Sequence, residues 1–191
     1  MASPQPIIVV SGLPRSGTSL MMRLLEAASV PVLQDATRPP DESNPRGYYE
    51  LSAVRATATD ARWVARASGH AVKVIHRLLA ALPRDRVYRV IVMRRPVREV
   101  VASQDRMLAR LGEPVSGLPP ARLEAVLAAQ LDEAMALLDR EPCFTWMGVD
   151  VHALVDDPEV EIARVLDFLD LPARPGSLVH VVEPALLRER G

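Results

Sequence analysis

Eight residues near the start of the chain have the types and spacing of a phosphate-binding loop. They run Gly12-Leu-Pro-Arg-Ser-Gly-Thr-Ser19, after an apolar run at 7–10 and before a helical pattern of apolar residues that begins at Leu20. A strand, a glycine-containing loop and a helix N-terminus aim backbone N–H groups and the positive end of a helix dipole at one point. The loop therefore predicts an anion site, most often one for a phosphate.

The residue at position 18 of the chain, within this loop, indicates which kind of anion it binds. A Walker A loop, G-x-x-x-x-G-K-[ST], has a lysine there, but this chain has Thr18, and its cation is Arg15. The missing lysine is the group that neutralises a γ-phosphate during phosphoryl transfer. The loop therefore favours phosphate binding without ATP chemistry, and an ATP-dependent kinase is the less favoured alternative.

The elements that must position this loop follow from the hydrophobic pattern. Apolar runs predict strands, and amphipathic patterns between them predict helices, as in βαβ units. The predicted strands are 7–10, 71–75, 88–93 and 143–149, and the predicted helices after the first follow Pro96, span about 120–140 and follow Asp157-Pro158. We expect an α/β fold: a P-loop-type three-layer sandwich with a mainly parallel sheet flanked by helices, forming one domain over 1–191.

Composition limits the class of protein. The 191 residues are 49% hydrophobic and 25% charged with a net charge of −1, which is ordinary for a globular domain and gives no bulk attraction to nucleic acid or membrane. Cys143 is the single cysteine, so no internal disulfide can form, and no His/Cys/carboxylate spacing predicts a metal site. With no signal-peptide or membrane-spanning pattern, the expected location is the cytoplasm.

Four segments, taken in chain order, resemble one known family. They are LPRSGTS at 13–19, AVKVIH at 71–76, VMRRPVREVVAS at 92–103 and MGVDVHALVDDP at 147–158. Together they resemble the sulfotransferases that use 3′-phosphoadenosine 5′-phosphosulfate (PAPS) as donor. The segment NPRGYYE at 44–50 is similar to small bacterial members. Asp150, directly after the last apolar run, is better explained as a helix cap than as a Walker B carboxylate.

The resemblance implies two sets of donor-binding residues. The 5′-phosphosulfate would be held by the loop residues Pro14, Arg15, Ser16, Gly17, Thr18 and Ser19. The 3′-phosphate would be held by Ser103 with either Arg94 or Arg95. Counting eight residues back from Ser103 favours Arg95, whereas the end of the apolar run favours Arg94. The arginine that does not bind phosphate could pair with a carboxylate, as Arg95 could with Glu99 at helical spacing.

The resemblance also implies the catalytic residues. Arg15 and Lys73 would stabilise charge on the sulfuryl group and the leaving phosphate, and either His76 or Glu50 would take the proton of the acceptor. Lys73 and His76 are three residues apart, so they lie on opposite sides of a strand unless the strand has ended by Ile75.

The function expected from this resemblance is transfer of a sulfuryl group from PAPS to a hydroxyl or amine. The partners would be PAPS and an acceptor that the sequence does not identify, without a metal, nucleic acid or membrane. A P-loop protein that binds PAPS or its desulfated product PAP without catalysis is the main alternative. The oligomeric state stays open.

Overall fold

Five parallel strands form one sheet in the order β2-β3-β1-β4-β5. The computed structural model describes residues 5–35, 47–114 and 117–183. The strands are β1 (Ile7–Gly12), β2 (Val32–Leu33), β3 (Ala71–Lys73), β4 (Tyr88–Arg94) and β5 (Phe144–Asp150). The helices are α1 (Thr18–Ala27), α2 (Val97–Leu111), α3 (Pro120–Arg140), α4 (Val151–Asp156) and α5 (Pro158–Phe168). This arrangement confirms the predicted α/β class.

All four predicted strands are present, with changes at their ends. The run predicted as a strand over 71–75 leaves the sheet after Lys73, and a 3₁₀ helix occupies His76–Ala81. The strand β2 was not predicted, because its two half-buried residues give no alternating pattern. The helix predicted over about 120–140 is confirmed as α3.

The sheet separates two hydrophobic cores. Alternate residues of β1 point to opposite faces, so Ile8 and Val10 join the core beneath α1, α4 and α5, whereas Ile7 and Val9 join the core beneath α2 and α3. All four are buried. A strand buried on both faces explains the uninterrupted apolar run at this point of the sequence.

The register of the sheet places two of the sequence motifs side by side. Gly12 of β1 pairs with Met93 of β4, and Arg94 pairs with Asp150 of β5. The loop after β1 and the arginines after β4 therefore leave the same edge of the sheet from neighbouring strands. In open α/β sheets, the carboxyl edge is where ligands bind.

Asp150 is an N-cap, as the sequence predicts. Its carboxylate accepts hydrogen bonds from the backbone N–H groups of His152 and Ala153, at 2.8 and 3.1 Å.

We expect Asp150→Ala to lower the free energy of unfolding by about 1 kcal/mol, because two N–H groups of α4 lose their acceptor. Urea denaturation measures this loss. Asp167→Ala, an exposed position within α5, is the matched control and should change stability by less than about 0.5 kcal/mol.

No helix in the described parts of the chain combines the length and the apolar character needed to cross a bilayer.

Candidate functional site

The loop between β1 and α1 has the backbone shape of an anion cradle. Gly12, Arg15 and Gly17 all have positive φ values, of 140°, 70° and 98°. The hydroxyl of Ser16 donates to the carbonyl of Leu13 at 2.7 Å, which closes the loop on itself. The N-cap residue of α1, Gly17, has no side chain that could cap the helix. The first N–H groups of a helix have no intrahelical acceptor, so here they can serve a ligand.

Both glycines of the loop are required by close packing. A Cβ atom on Gly12 would lie 2.7 Å from the backbone carbonyl oxygen of Met93 and 2.6 Å from the Ser16 hydroxyl. A Cβ atom on Gly17 would lie 2.9 Å from a methyl group of Val151. The loop is therefore pressed against β4 on one side and α4 on the other. This fixes its position relative to the carboxyl edge of the sheet.

The structure brings the loop and the α2 motif into direct contact. Arg15 Nε donates to the Ser103 hydroxyl at 3.1 Å, across 88 residues of sequence. Arg95 donates from its terminal guanidinium nitrogen to the carbonyl oxygen of Arg15 at 3.2 Å. Arg15 has a left-handed backbone, which costs a non-glycine residue of the order of 1–2 kcal/mol. The bond from Arg95 helps to hold that conformation.

Arg94 and Arg95 have different environments. The side chain of Arg95 is 6% exposed and pairs with Glu99, with Nε 3.0 Å from Oε2. Arg94 is exposed, and its side chain passes over Gly148 of β5, so that its Cδ would lie 3.1 Å from a Cβ at that position. Beyond Gly148 is a cleft of about 480 Å³ between α3 and α5. Its charged lining residues are Arg94, Arg95, Asp132, Asp150, Glu161 and Arg164.

A second polar cluster surrounds Lys73. Its ammonium group donates to the carbonyl of Tyr48 at 2.9 Å and to the hydroxyl of Ser19 at 3.3 Å. Glu50 Oε1 lies 4.0 Å from the same nitrogen. Lys73, predicted from β3, and Glu50, predicted from a distant segment, are therefore neighbours at the start of α1. Residues 44–46 of the predicted segment lie outside the described residues.

Several contacts hold Glu50 in place. Its backbone carbonyl accepts from the N–H of Asp35 at 2.9 Å, and its carboxylate accepts from Arg55 at 3.1 Å. The preceding residue, Tyr49, donates its hydroxyl to Glu26 of α1 at 2.7 Å. Burial and the Glu26 carboxylate raise the pKa of Tyr49 to about 12. The Glu50 side chain is 27% exposed and thus open to solvent.

His76 contacts the first residue of the loop and helix α3. β3 has ended before it, so strand alternation no longer fixes its side relative to Lys73. The ring is 4% exposed, with Nδ1 3.3 Å from the carbonyl oxygen of Gly12 and Nε2 3.1 Å from the side-chain amide oxygen of Gln130. A carbonyl oxygen only accepts, so Nδ1 carries the hydrogen.

The contact between Glu99 and His152 was not predicted from the sequence. Glu99 was predicted only as a possible partner for an arginine, but it also binds His152 of α4, with Oε2 and Nε2 2.9 Å apart. These two residues are 53 positions apart, so no local spacing could indicate the contact.

Within the described ranges, no group of three or more His, Cys, Asp or Glu side chains could hold a metal ion.

The comparisons with known proteins bear on the family and the fold of the chain. A sequence model described as "Sulfotransferase family" matches residues 41–175. The sulfotransferase domain from the curacin biosynthetic pathway is 19% identical with a TM-score of 0.57, covering 95% of this chain and 79% of that domain. The sulfotransferase domain of the Synechococcus PCC 7002 olefin synthase is 16% identical with a TM-score of 0.52, covering 100% and 85%.

A third similar structure was solved with a nucleotide. Retinol dehydratase, in complex with androsterone and the inactive cofactor PAP, is 14% identical with a TM-score of 0.53 and covers 94% of this chain and 63% of that one. No curated protein sequence gives a significant match. These structural neighbours share the P-loop-type fold. Because the family model spans more than half of the sequence, the chain belongs to the sulfotransferase family.

Proposed function

We propose that this protein transfers a sulfuryl group from PAPS to a hydroxyl or amine of an acceptor. The observation that carries the proposal is the hydrogen bond between Arg15 and Ser103, because it joins a loop suited to one phosphate to a motif suited to another. PAPS has an anionic group at each end and needs two such sites. The PAP complex of retinol dehydratase, a protein of similar fold, supports the same class of donor.

The donor would lie along the carboxyl edge of the sheet, from β1 towards β5. The amides of Ser16 to Ser19 and the Arg15 guanidinium would hold the 5′-phosphosulfate. Both arginines line the cleft beside β5, but Arg94 is the better candidate for the 3′-phosphate, because its side chain is exposed whereas that of Arg95 is 6% exposed. Arg95, preferred from the spacing to Ser103, is neutralised by Glu99 and is better placed to support the loop.

The transfer would proceed in line at sulfur. A bond forms between the acceptor oxygen or nitrogen and sulfur while the bond from sulfur to the bridging phosphate oxygen breaks, and PAP leaves with the electron pair of that bond. Lys73 contacts Ser19 at the start of α1, so its ammonium can reach the charge that develops on the leaving oxygen. The proton of the acceptor passes to a base.

Glu50 is the better candidate for that base. Its carboxylate is 27% exposed and lies 4.0 Å from the Lys73 ammonium. The imidazole of His76 is buried, and both of its ring nitrogens already face protein oxygens. A base needs an accessible lone pair within hydrogen-bonding distance of the acceptor proton. His76 is therefore proposed to position the Gly12 carbonyl.

Calorimetric titration tests the nucleotide class directly. PAP should bind without metal, whereas ATP and magnesium-ATP should bind far more weakly, because Thr18 replaces the Walker lysine. Radiolabelled PAPS with a panel of hydroxyl and amine compounds then tests transfer. Tight magnesium-ATP binding would favour a kinase. PAP binding with no transfer to any acceptor would favour a binding-only protein.

If Arg94 binds the 3′-phosphate, replacing it should weaken binding of that phosphate only. Arg94→Ala should weaken PAP binding by about ten- to a hundredfold, since one charge-assisted hydrogen bond contributes about 1.5–3 kcal/mol. Binding of adenosine 5′-monophosphate should stay unchanged. Arg86→Ala, an exposed arginine before the amino end of β4, is the control in calorimetry. Equal PAP affinity for Arg94→Ala and wild type would place the 3′-phosphate elsewhere.

A further inference from the structure

Glu99 is a buried carboxylate at the centre of three elements. It lies in the first turn of α2 and is 5% exposed. One oxygen, Oε2, accepts from Arg95 Nε at 3.0 Å and lies 2.9 Å from His152 Nε2 of α4. A carboxylate oxygen only accepts, so His152 Nε2 carries a hydrogen in this contact. Glu99 thus binds the junction after β4 to the helix after β5.

The same network reaches the phosphate loop. The guanidinium of Arg95 divides its donors: Nε faces Glu99, and a terminal nitrogen donates to the Arg15 carbonyl at 3.2 Å. Among the loop residues 12–19, Arg15 is the one non-glycine residue with a positive φ. Glu99 therefore fixes Arg95, and Arg95 fixes the loop at Arg15.

Charge balance separates two possible roles for this carboxylate. A buried ion pair holds its members together, because either charge alone would be costly in the interior. Arg95 and Glu99 cancel, so the pair adds no net attraction for a phosphate. If Glu99 merely reduced the positive charge of the site, its neutralisation would strengthen anion binding. If Glu99 holds the loop in shape, its neutralisation would weaken anion binding.

We propose that Glu99 is a positioning residue for the 5′-phosphate group of the donor, acting through Arg95 on the loop. This inference rests on the proposed function and adds a role for a residue that touches neither donor nor acceptor. The position of the network predicts selectivity. Binding at the loop depends on Glu99, whereas binding at Arg94 does not.

The test compares Glu99→Gln with wild type in calorimetric titrations of PAP, adenosine 5′-monophosphate and adenosine 3′-monophosphate. We expect about tenfold weaker binding of PAP and of the 5′-phosphate probe, from the loss of a charge-assisted bond. Binding of the 3′-phosphate probe should stay within about twofold, which a general loss of structure would not produce. Unchanged or tighter binding of PAP would overturn the inference, as would equal weakening of both half-probes.

Two further variants complete the experiment. Glu141→Gln makes the same charge change at the opposite edge of the sheet, where Glu141 lies near Arg84 and Arg140, and should leave PAP affinity unchanged. Arg95→Lys keeps the positive charge but cannot donate to Glu99 and to the Arg15 carbonyl at the same time as the planar guanidinium does. It should weaken binding of PAP and of the 5′-phosphate probe but not of the 3′-phosphate probe, and it provides the test if Glu99→Gln fails to fold. PAP affinity equal to wild type in Arg95→Lys would also overturn the inference. Absence of PAP binding by the wild-type protein would overturn the proposed function and the inference together.

Discussion

Gly12→Ala is expected to abolish PAP binding within the concentration range accessible to calorimetry. The new methyl group would lie 2.7 Å from the carbonyl oxygen of Met93, which belongs to the backbone of β4 and cannot move without disturbing the sheet. The φ value of 140° adds strain for any residue with a side chain. The loop must therefore shift, and its amides lose their common target.

Gly112→Ala separates this effect from ordinary backbone strain. Gly112 follows α2 with a φ value of 67°, but a Cβ there would meet no atom within 4 Å. We expect a loss of about 1–2 kcal/mol in unfolding free energy and no loss of PAP affinity. Thermal unfolding and calorimetry report both quantities for each variant. Tight PAP binding by Gly12→Ala would contradict the assignment of the loop as the 5′-phosphate site.

Glu50→Gln is expected to lower kcat by about 10²–10⁴-fold, the range for loss of a general base. The amide keeps the shape of the side chain, so PAP affinity should stay near that of wild type. His76→Gln should lower kcat by less than about tenfold, because its ring is proposed to support the loop and not to meet the acceptor. Steady-state transfer from radiolabelled PAPS, with an acceptor found by screening, measures both variants.

The pattern of these two losses identifies the base. A large loss for His76→Gln with a small loss for Glu50→Gln would reverse the proposed assignment. Negligible losses in both variants would remove both residues as candidates and favour an acceptor activated by another group. The Lys73 contact of Glu50 gives a further check: if Glu50 only anchors Lys73, its loss should raise the KM for PAPS more than it lowers kcat.

The loop between β1 and α1 and most of the sheet could be predicted because their signals are local. The residues from Gly12 to Ser19 carry the turn and the helix start in eight consecutive positions. A strand buried on both faces, such as β1, has an apolar run that needs no partner to be recognised. By contrast, β2 has two residues and forms only because β3 lies beside it.

The surroundings of the individual site residues depend on tertiary contacts, so they could not be predicted from the sequence. Spacing could not reveal the different environments of Arg94 and Arg95, which depend on the burial of Glu99 and the absence of a side chain at Gly148. The approach of Lys73 to Glu50 likewise depends on the packing of the segment around Tyr48 against the start of α1. Contacts between residues far apart in sequence have no periodic signature.

The hydrogen bond between Arg15 and Ser103 affects when the protein loses conformational freedom. A long side chain loses about 0.5–1.5 kcal/mol of rotamer entropy when it is immobilised at a binding surface. Here the guanidinium is already held by a hydroxyl before any nucleotide arrives. The rotamer entropy of the Arg15 side chain is therefore lost during folding, so that it does not have to be lost again when a nucleotide binds.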